Sequence, residues 1–237
     1  MQKLLVNEMF ETIQGEGAYT GTPSLFIRLQ GCPVGCPWCD TQHTWETLPE
    51  NNKSVGDILV KTSDSPNYFT CSVSELLDVL VKQQYTAKHI VITGGEPCMY
   101  DLNELTMTLH QQGLSTQIET SGTYEVHCSE STWVTVSPKI NMKANMPILD
   151  QAMKRANEVK HPVAMQKHVD ELDNLFLDVF GDKSGLQDVS DVLINLPMPV
   201  YLQPISQQKR ATELAVATCI KRNWKLSVQL HKYIGVE

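Results

Sequence analysis

Three cysteines, Cys32, Cys36 and Cys39, lie within GCPVGCPWCDTQHTW (31–45) at the spacing C-x3-C-x2-C, and that stretch supplies no fourth. Short spacing lets one loop present three thiolates to a compact centre, and Gly31, Pro33, Gly35 and Pro37 shape a backbone that must wrap closely. A structural zinc site would need a fourth ligand, for which His43 and the distant Cys71 are the candidates. An iron–sulfur cube normally takes four cysteines, so three thiolates leave one iron open to an outside ligand. The spacing favours such a cluster over zinc and over plain core cysteines. Cys71, Cys128 and Cys219 stand singly and read as buried small hydrophobes, as does Cys98 beside a second motif.

That second motif is Gly94-Gly95-Glu96-Pro97, at the end of the apolar run HIVIT (89–93). Ligands collect at the carboxyl edge of a parallel sheet, and glycines there let backbone carbonyls approach a cationic amine. An ordinary turn is the plainer reading of the pair.

The elements that must position these groups alternate. SLFIRLQ (24–30) reads as a strand and SVSELLDVLVKQQ (72–84) as a helix, with Ser72 and Glu75 at capping-box spacing. After the strand 89–93, Asp101 can cap LNELTMTLHQQ, which Gly113 ends. Strands follow at 114–120 and 133–137, a helix near 150–159 and another at 170–180 with an apolar stripe of Leu172, Leu175, Phe176 and Val179. A strand at 200–205, a helix from about 207 to 222 and a strand at 225–230 complete the series. Strands alternating with helices imply parallel pairing, hence an α/β fold that is an open sheet or a complete or partial barrel. The polar stretches 46–70 and 181–191 read as exposed insertions in a single domain spanning 1–237.

Composition narrows the function. A formal charge of −8, with lysines and arginines scattered, offers no field for nucleic acid. MQKLLVNEMFETIQ lacks the features of an export signal, and no apolar run approaches a membrane span. Seven cysteines, an odd number, then point to reduced thiols or metal ligands, and the expectation is a soluble, cytoplasmic protein.

C-x3-C-x2-C followed by GGEP at a strand end resembles the radical S-adenosylmethionine (SAM) superfamily. In that superfamily the open iron is chelated by the amine and carboxylate of SAM, and the reduced cluster splits the sulfonium to a 5′-deoxyadenosyl radical. More specifically, FETIQGEGAYTGTPSLFIRLQGCPVGCPWCDT, VITGGEP, IETSGT, VTVSPK, LQPIS and QLHKY are similar, motif by motif, to the 7-carboxy-7-deazaguanine synthase family. Segments 46–70 and 146–199 carry little of the resemblance. It implies a modified, incomplete radical-SAM barrel, commonly a homodimer. It also implies conversion of 6-carboxy-5,6,7,8-tetrahydropterin to 7-carboxy-7-deazaguanine with loss of ammonia, on the way to queuosine. The cofactors implied are a [4Fe-4S] cluster on Cys32, Cys36 and Cys39, SAM and Mg²⁺, and the partner an electron donor such as flavodoxin or ferredoxin.

The residues make sense under that chemistry. Alternation along 24–30 puts Phe26, Arg28 and Gln30 on one face, so Arg28 shares a face with the lead into the cysteine loop. A substrate carboxylate is a natural bidentate partner for it, and a protein carboxylate is the alternative. The resemblance supports Ile13, Gln14, Gly15, Arg28 and Thr93 as substrate contacts. It assigns Thr41 to Mg²⁺, where helix capping is the simpler role. For SAM the pattern carries over to Trp38, Cys39 and Asp40, to Gly95, to Ser137, Pro138 and Lys139, and to Gln203, Pro204, Ile205 and Ser206. Glu16 and Glu119 are candidate acid/base or anchoring carboxylates, because ring contraction and ammonia loss move protons. His231 and Lys232 match the family without an assigned role.

Overall fold

The computed structural model describes residues 2–182, 188–205 and 208–236. The sheet starts with a strand that the sequence patterning did not reveal, β1 (Leu4–Ile13), in antiparallel register with β2 (Pro23–Leu29), so that Arg28 faces Glu8 and Phe26 faces Phe10. β3 (Phe69–Cys71) adds antiparallel to the outer edge of β1. On the other side β2 continues in parallel into β4 (His89–Gly94), β5 (Ser115–Thr120), β6 (Trp133–Val136), β7 (Glu158–Val163), β8 (Val200–Pro204) and β9 (Lys225–Leu226). Among the described residues this is one nine-stranded sheet, and no pairing joins β9 back to β3.

The helices are α1 (Val55–Leu59), α2 (Val73–Gln83), α3 (Asn103–Gln111), α4 (Asp150–Arg155), α5 (Gln166–Phe180), α6 (Val189–Ile194), α7 (Lys209–Arg222) and α8 (Leu230–Ile234). α2 starts at the predicted capping box, Ser72 accepting from Glu75 N while the Glu75 carboxylate accepts from Ser72 N. Asp101 Oδ1 likewise accepts from Asn103 N at the start of α3. The apolar core joins one face of the sheet to the helices: Leu25, Ile27, Leu29, Ile90, Ile92, Val134 and Leu202 are buried with Leu76, Leu105, Leu172 and Phe176. The residues that alternate with these on the strands, Arg28, Thr93, Glu119, Lys160 and Gln203, line a common cavity.

The turn between β1 and β2 reaches across the sheet to strands far away in sequence. Ala18 N donates to Glu158 Oε2 (2.9 Å) and Gly17 N to Ser227 Oγ (3.2 Å), while Leu230 N donates to Gly15 O (2.9 Å). Tyr19 stacks on His89 at 4.1 Å between ring centroids and meets Trp133 edge-on at 5.4 Å. The turn thus plugs the end of the curled sheet where the parallel strands begin, and the opposite end holds the cavity.

Several expectations need correction. The helix expected near 150–159 stops at Arg155, and β7 begins three residues later. EVKHPV carries charged residues at alternate positions because one face of this strand lines a polar interior, so its pattern lacks the apolar signature of a buried strand. The strand expected at 225–230 is two residues long and gives way to α8. The helix expected at 170–180 begins earlier, at Gln166. Segment 46–70 is not simply an exposed insertion: Ile58 and Tyr68 are buried, and Lys61 Nζ donates to Asn7 Oδ1 at 2.6 Å. Within 181–191, α6 begins at Val189, and residues 183–187 lie outside the described residues.

Glu158 is fully buried and its carboxylate accepts from Ala18 N and, at 2.8 Å, from Thr135 Oγ1. Glu158→Ala removes both acceptors and strands a donor, so it is expected to cost roughly 2–3 kcal/mol. Urea unfolding should show a lower midpoint, and Glu158→Gln, which keeps an oxygen, a smaller drop.

Candidate active site

The cysteine loop leaves the carboxyl end of β2 and is tied down before it reaches its first thiol. Gln30 is buried; its Nε2 donates to His43 O (3.1 Å) and Glu46 O (2.7 Å), and its carbonyl accepts from Tyr100 (2.6 Å). Gly31 N donates to Thr44 O at 2.7 Å and Cys32 N to Trp45 O at 3.1 Å. Each end of the loop is therefore pinned by backbone bonds, leaving Cys36 and Cys39 on the arc between.

The second motif packs directly on this start. Gly95 N donates to Leu29 O (2.9 Å) and Glu96 N to Gly31 O (2.8 Å). A Cβ on Gly94 would lie 2.2 Å from Leu29 O, at a φ of +130° that side chains rarely adopt, and one on Gly95 would lie 2.1 Å from Gly31 O. Gly94 is thus required by contact with the end of β2 and Gly95 by contact with the start of the cysteine loop, a reason beyond the ligand approach expected from sequence. Glu96, buried, locks the next strand to the same seam: it accepts from Cys98 N (2.9 Å), Thr120 Oγ1 (2.6 Å) and Ser121 N (2.8 Å).

Cys32, Cys36 and Cys39 line a cavity of about 310 Å³ together with Arg28, Thr93, Gly95, Glu119 and Lys160. Among the described residues no three His, Cys, Asp or Glu side chains converge on one metal ion. Thiolates meeting separate corners of a cube need no common point. Burial pushes the Cys32 thiol up to about 11 and raises Cys36 as well, so thiolate at these positions calls for a strong positive centre. Among the described residues Gln203 Oε1, in the same cavity, is a buried acceptor without a partner. Thiols on one side and an open acceptor on another suit a cluster with a polar molecule bound against it.

The structure brings most of the expected residues to this wall. Trp38, Asp40, Thr41, Ser137, Lys139 and Ile205 line the cavity. Lys139 is half-buried, and its Nζ donates to Ser137 Oγ at 2.6 Å. Thr41 makes no side-chain cap; its hydroxyl lies 3.6 Å from Cys39 Sγ. Pro138 and Pro204 are buried behind the wall, and Ser206 lies outside the described residues. Ile13 lines a different groove, at the opposite end of the strands, and Gly15 packs against His231. Gln14, buried, does not line the cavity but touches two residues that do: its Nε2 approaches Glu119 Oε1 at 3.4 Å, and its Oε1 accepts from Glu16 N at 3.1 Å. Arg28 faces the cavity as expected, but it is not an unpaired cation: its Nε donates to Glu8 Oε1. Among the described residues its outer nitrogens have no protein acceptor.

Glu16 and Glu119 do not cap turns. Both bond Lys160, whose Nζ lies 2.6 Å from Glu16 Oε2 and 2.7 Å from Glu119 Oε2. Burial alone would raise Glu16, but the Lys160 charge and its hydrogen bond hold it down at about 2. Glu119 goes the other way: burial raises it, Lys160 only partly offsets that, and neighbouring Glu16 adds to it, giving about 7. Lys160 went unnoticed in the sequence because its strand did, and Gln229, which donates to Glu16 Oε1 at 2.9 Å, because the tail pairs with nothing nearby in sequence. The alternation E-V-K at 158–160 was the one available signal for Lys160.

A family model described as a 4Fe-4S single cluster domain matches residues 13–158, a span that contains both motifs. The 7-carboxy-7-deazaguanine synthase of Escherichia coli (strain K12) is 52% identical over 231 residues, 98% of each chain. The chain belongs to the 7-carboxy-7-deazaguanine synthase family. The enzyme of that name from Buchnera aphidicola subsp. Schizaphis graminum (strain Sg) is 46% identical over the same share of both chains. The crystal structure of QueE from Escherichia coli matches with a TM-score of 0.86, covering 97% of this chain and 95% of that one. With the family comes the fold class expected from the motifs, the incomplete radical-SAM barrel, in agreement with the unclosed sheet.

Gly95→Ala tests the seam that presents the family's cysteines. The added carbon would meet Gly31 O at 2.1 Å and Cys32 Cβ at 3.0 Å, so the loop must move. Anaerobic reconstitution should load about four irons per chain in the wild type and less than half of that in the variant.

Proposed function

We infer that this chain converts 6-carboxy-5,6,7,8-tetrahydropterin to 7-carboxy-7-deazaguanine with release of ammonia, the step that commits a pterin to the queuosine pathway. The observation that carries it is a single cavity in which the three-thiol loop, the Gly-Gly strand end, an arginine and a buried acidic pair all face one another. Cys32, Cys36 and Cys39 would hold the [4Fe-4S] cluster, which with SAM supplies the one-electron, hydrogen-abstracting chemistry that ring contraction requires.

The protein's own part is binding and orientation. Arg28, aimed by Glu8 through Nε, offers its remaining donors to the substrate carboxylate. The Thr41 hydroxyl, spared from capping, would serve as an oxygen ligand for Mg²⁺, which would supply positive charge beside the substrate carboxylate. Thr93 adds a hydroxyl from the end of β4, and Glu16 and Glu119 form an acceptor-rich floor for the nitrogen-bearing ring. Gln14 supports that floor from behind by its contact with Glu119. Trp38, Asp40, Gly95, Ser137, Lys139, Gln203 and Ile205 form the wall assigned to SAM, with Gln203 Oε1 the acceptor that awaits a donor. Holding the ring at both its carboxylate and its nitrogen edge limits which hydrogen a reactive species can meet.

We assign the electrons to a flavodoxin- or ferredoxin-type donor, the working oligomer to a homodimer and the compartment to the cytoplasm. A cysteine loop that must present thiolates to a cluster is suited to a reducing compartment, which supports the last.

Anaerobic turnover with SAM, dithionite, Mg²⁺ and the carboxypterin should yield the deazaguanine while SAM is not consumed in step with it; no product overturns the assignment. Arg28→Lys keeps the charge but loses the planar fork, so KM for the carboxypterin should rise about tenfold or more. An unchanged KM would remove Arg28 from the carboxylate site.

A further inference from the structure

Lys160 sits where a lysine is hard to place. Its side chain is 8% exposed, on the cavity face of β7, and two of its three donors go to two different carboxylates, Glu16 from the β1–β2 turn and Glu119 from β5. The carboxylates are held on their far oxygens too: Gln229 donates to Glu16 Oε1 (2.9 Å), and Gln117 (3.1 Å) with Gln14 (3.4 Å) approach Glu119 Oε1. Gln117 is in turn fixed by His89 Nε2 at 3.0 Å and by Thr135 Oγ1 at 3.0 Å. Three residues from separate parts of the chain therefore meet in one hydrogen-bonded array, and all three line the cavity.

Charge counting shows what the array can do. One lysine cannot neutralise two carboxylates, and buried like charges this close resist joint ionisation. The groups facing Glu119 are Lys160 and Glu158 on β7, Glu16 on the turn and, through Gln117, His89 on β4; Arg28 lines the same cavity, and His231 faces Glu16. Glu158 stands beside Glu119 and His231 beside Glu16, so the neighbours tilt the shared charge towards Glu16, while burial and two carboxylate neighbours raise Glu119.

We propose that Lys160 is a positioning residue which, by donating to Glu16 and Glu119 together, keeps Glu16 anionic and poises Glu119 as the proton-exchanging acceptor for the N–H edge of the substrate's pyrimidine ring. The proposal rests on the functional reading above. It separates the duties of the two carboxylates: Glu16 anchors the array, and Glu119 meets the ring in its ionised form. The affinity of the free enzyme for substrate then rises with pH as Glu119 ionises. Removing the lysine charge leaves two buried carboxyls without their shared cation, so both hold protons to higher pH, and the acceptor is lost at neutral pH.

Wild type, Lys160→Arg, Lys160→Met and Glu119→Gln, each reconstituted anaerobically as holoenzyme, are assayed for deazaguanine from about pH 5.5 to about pH 9. Iron content and far-ultraviolet circular dichroism report folding. The wild-type kcat/KM should climb through a pKa of about 7. In Lys160→Met that limb should move up by one unit or more, with kcat/KM at neutral pH at least tenfold lower and most of the loss in KM. Lys160→Arg should return the limb towards the wild-type position, and Glu119→Gln should abolish it. A folded Lys160→Met with the wild-type limb and KM overturns the proposal. Should Lys160→Met fail to fold, the limb in Glu119→Gln decides: its disappearance supports the proposal and its persistence overturns it. A wild type that turns over but shows no such limb overturns the proposal alone, whereas a wild type that makes no product overturns the functional reading together with it.

Discussion

The close contact between Leu29–Gly31 and Gly94–Glu96 is the constraint on which the site depends. Two strand ends that are far apart in sequence approach until neither Gly94 nor Gly95 can carry a Cβ, and two backbone hydrogen bonds stitch them. The contact sets where the cysteine loop begins, and Gln30 and Glu96 extend the anchoring to the loop's return and to the end of β5. The pair of motifs is therefore one structural feature: a loop of three thiols can be presented at the mouth of the sheet because a glycine pair lies beneath it.

The interior of the sheet follows a different logic from its outer face. Outside, aliphatic side chains on the strands and helices form a continuous core, and the energetics are those of apolar burial. Inside, Gln117, Glu119, Thr135, Glu158 and Lys160 are polar and poorly exposed, which is tolerable because they partner one another and the β1–β2 turn. A buried ionic array of this kind is weak evidence for stability. Its placement under the cavity, beside the thiol loop, makes recognition of a polar ring the better account of why it is there.

Much of this was legible in the sequence, for identifiable reasons. Ser72 and Glu75 marked a helix start, SLFIRLQ and HIVIT marked strands whose apolar sides face the core, and C-x3-C-x2-C with GGEP marked the site, because each signal is local. What escaped was carried by contacts between distant segments. β7 was hidden by its own polarity: Glu158 and Lys160 face a polar interior, so the strand shows no apolar run and its first residues were taken into the helix expected near 150–159. Arg28 was correctly turned inward, yet its partner Glu8 could not be seen without the β1–β2 register. Gln229 and His231 reach Glu16 and Gly15 across more than two hundred residues, a closeness that no periodicity encodes.

The central claim is that Cys32, Cys36 and Cys39 leave one iron of a cluster without a protein ligand, facing the cavity that Gln203, Ser137 and Lys139 help to form. Mössbauer spectroscopy of the anaerobically reconstituted, ⁵⁷Fe-labelled protein with and without SAM tests it most directly. One iron of four should show a distinct signal that shifts when SAM is added, while the other three stay as they were. Four equivalent irons whose spectrum ignores SAM, or a colourless protein holding one zinc, would contradict the account.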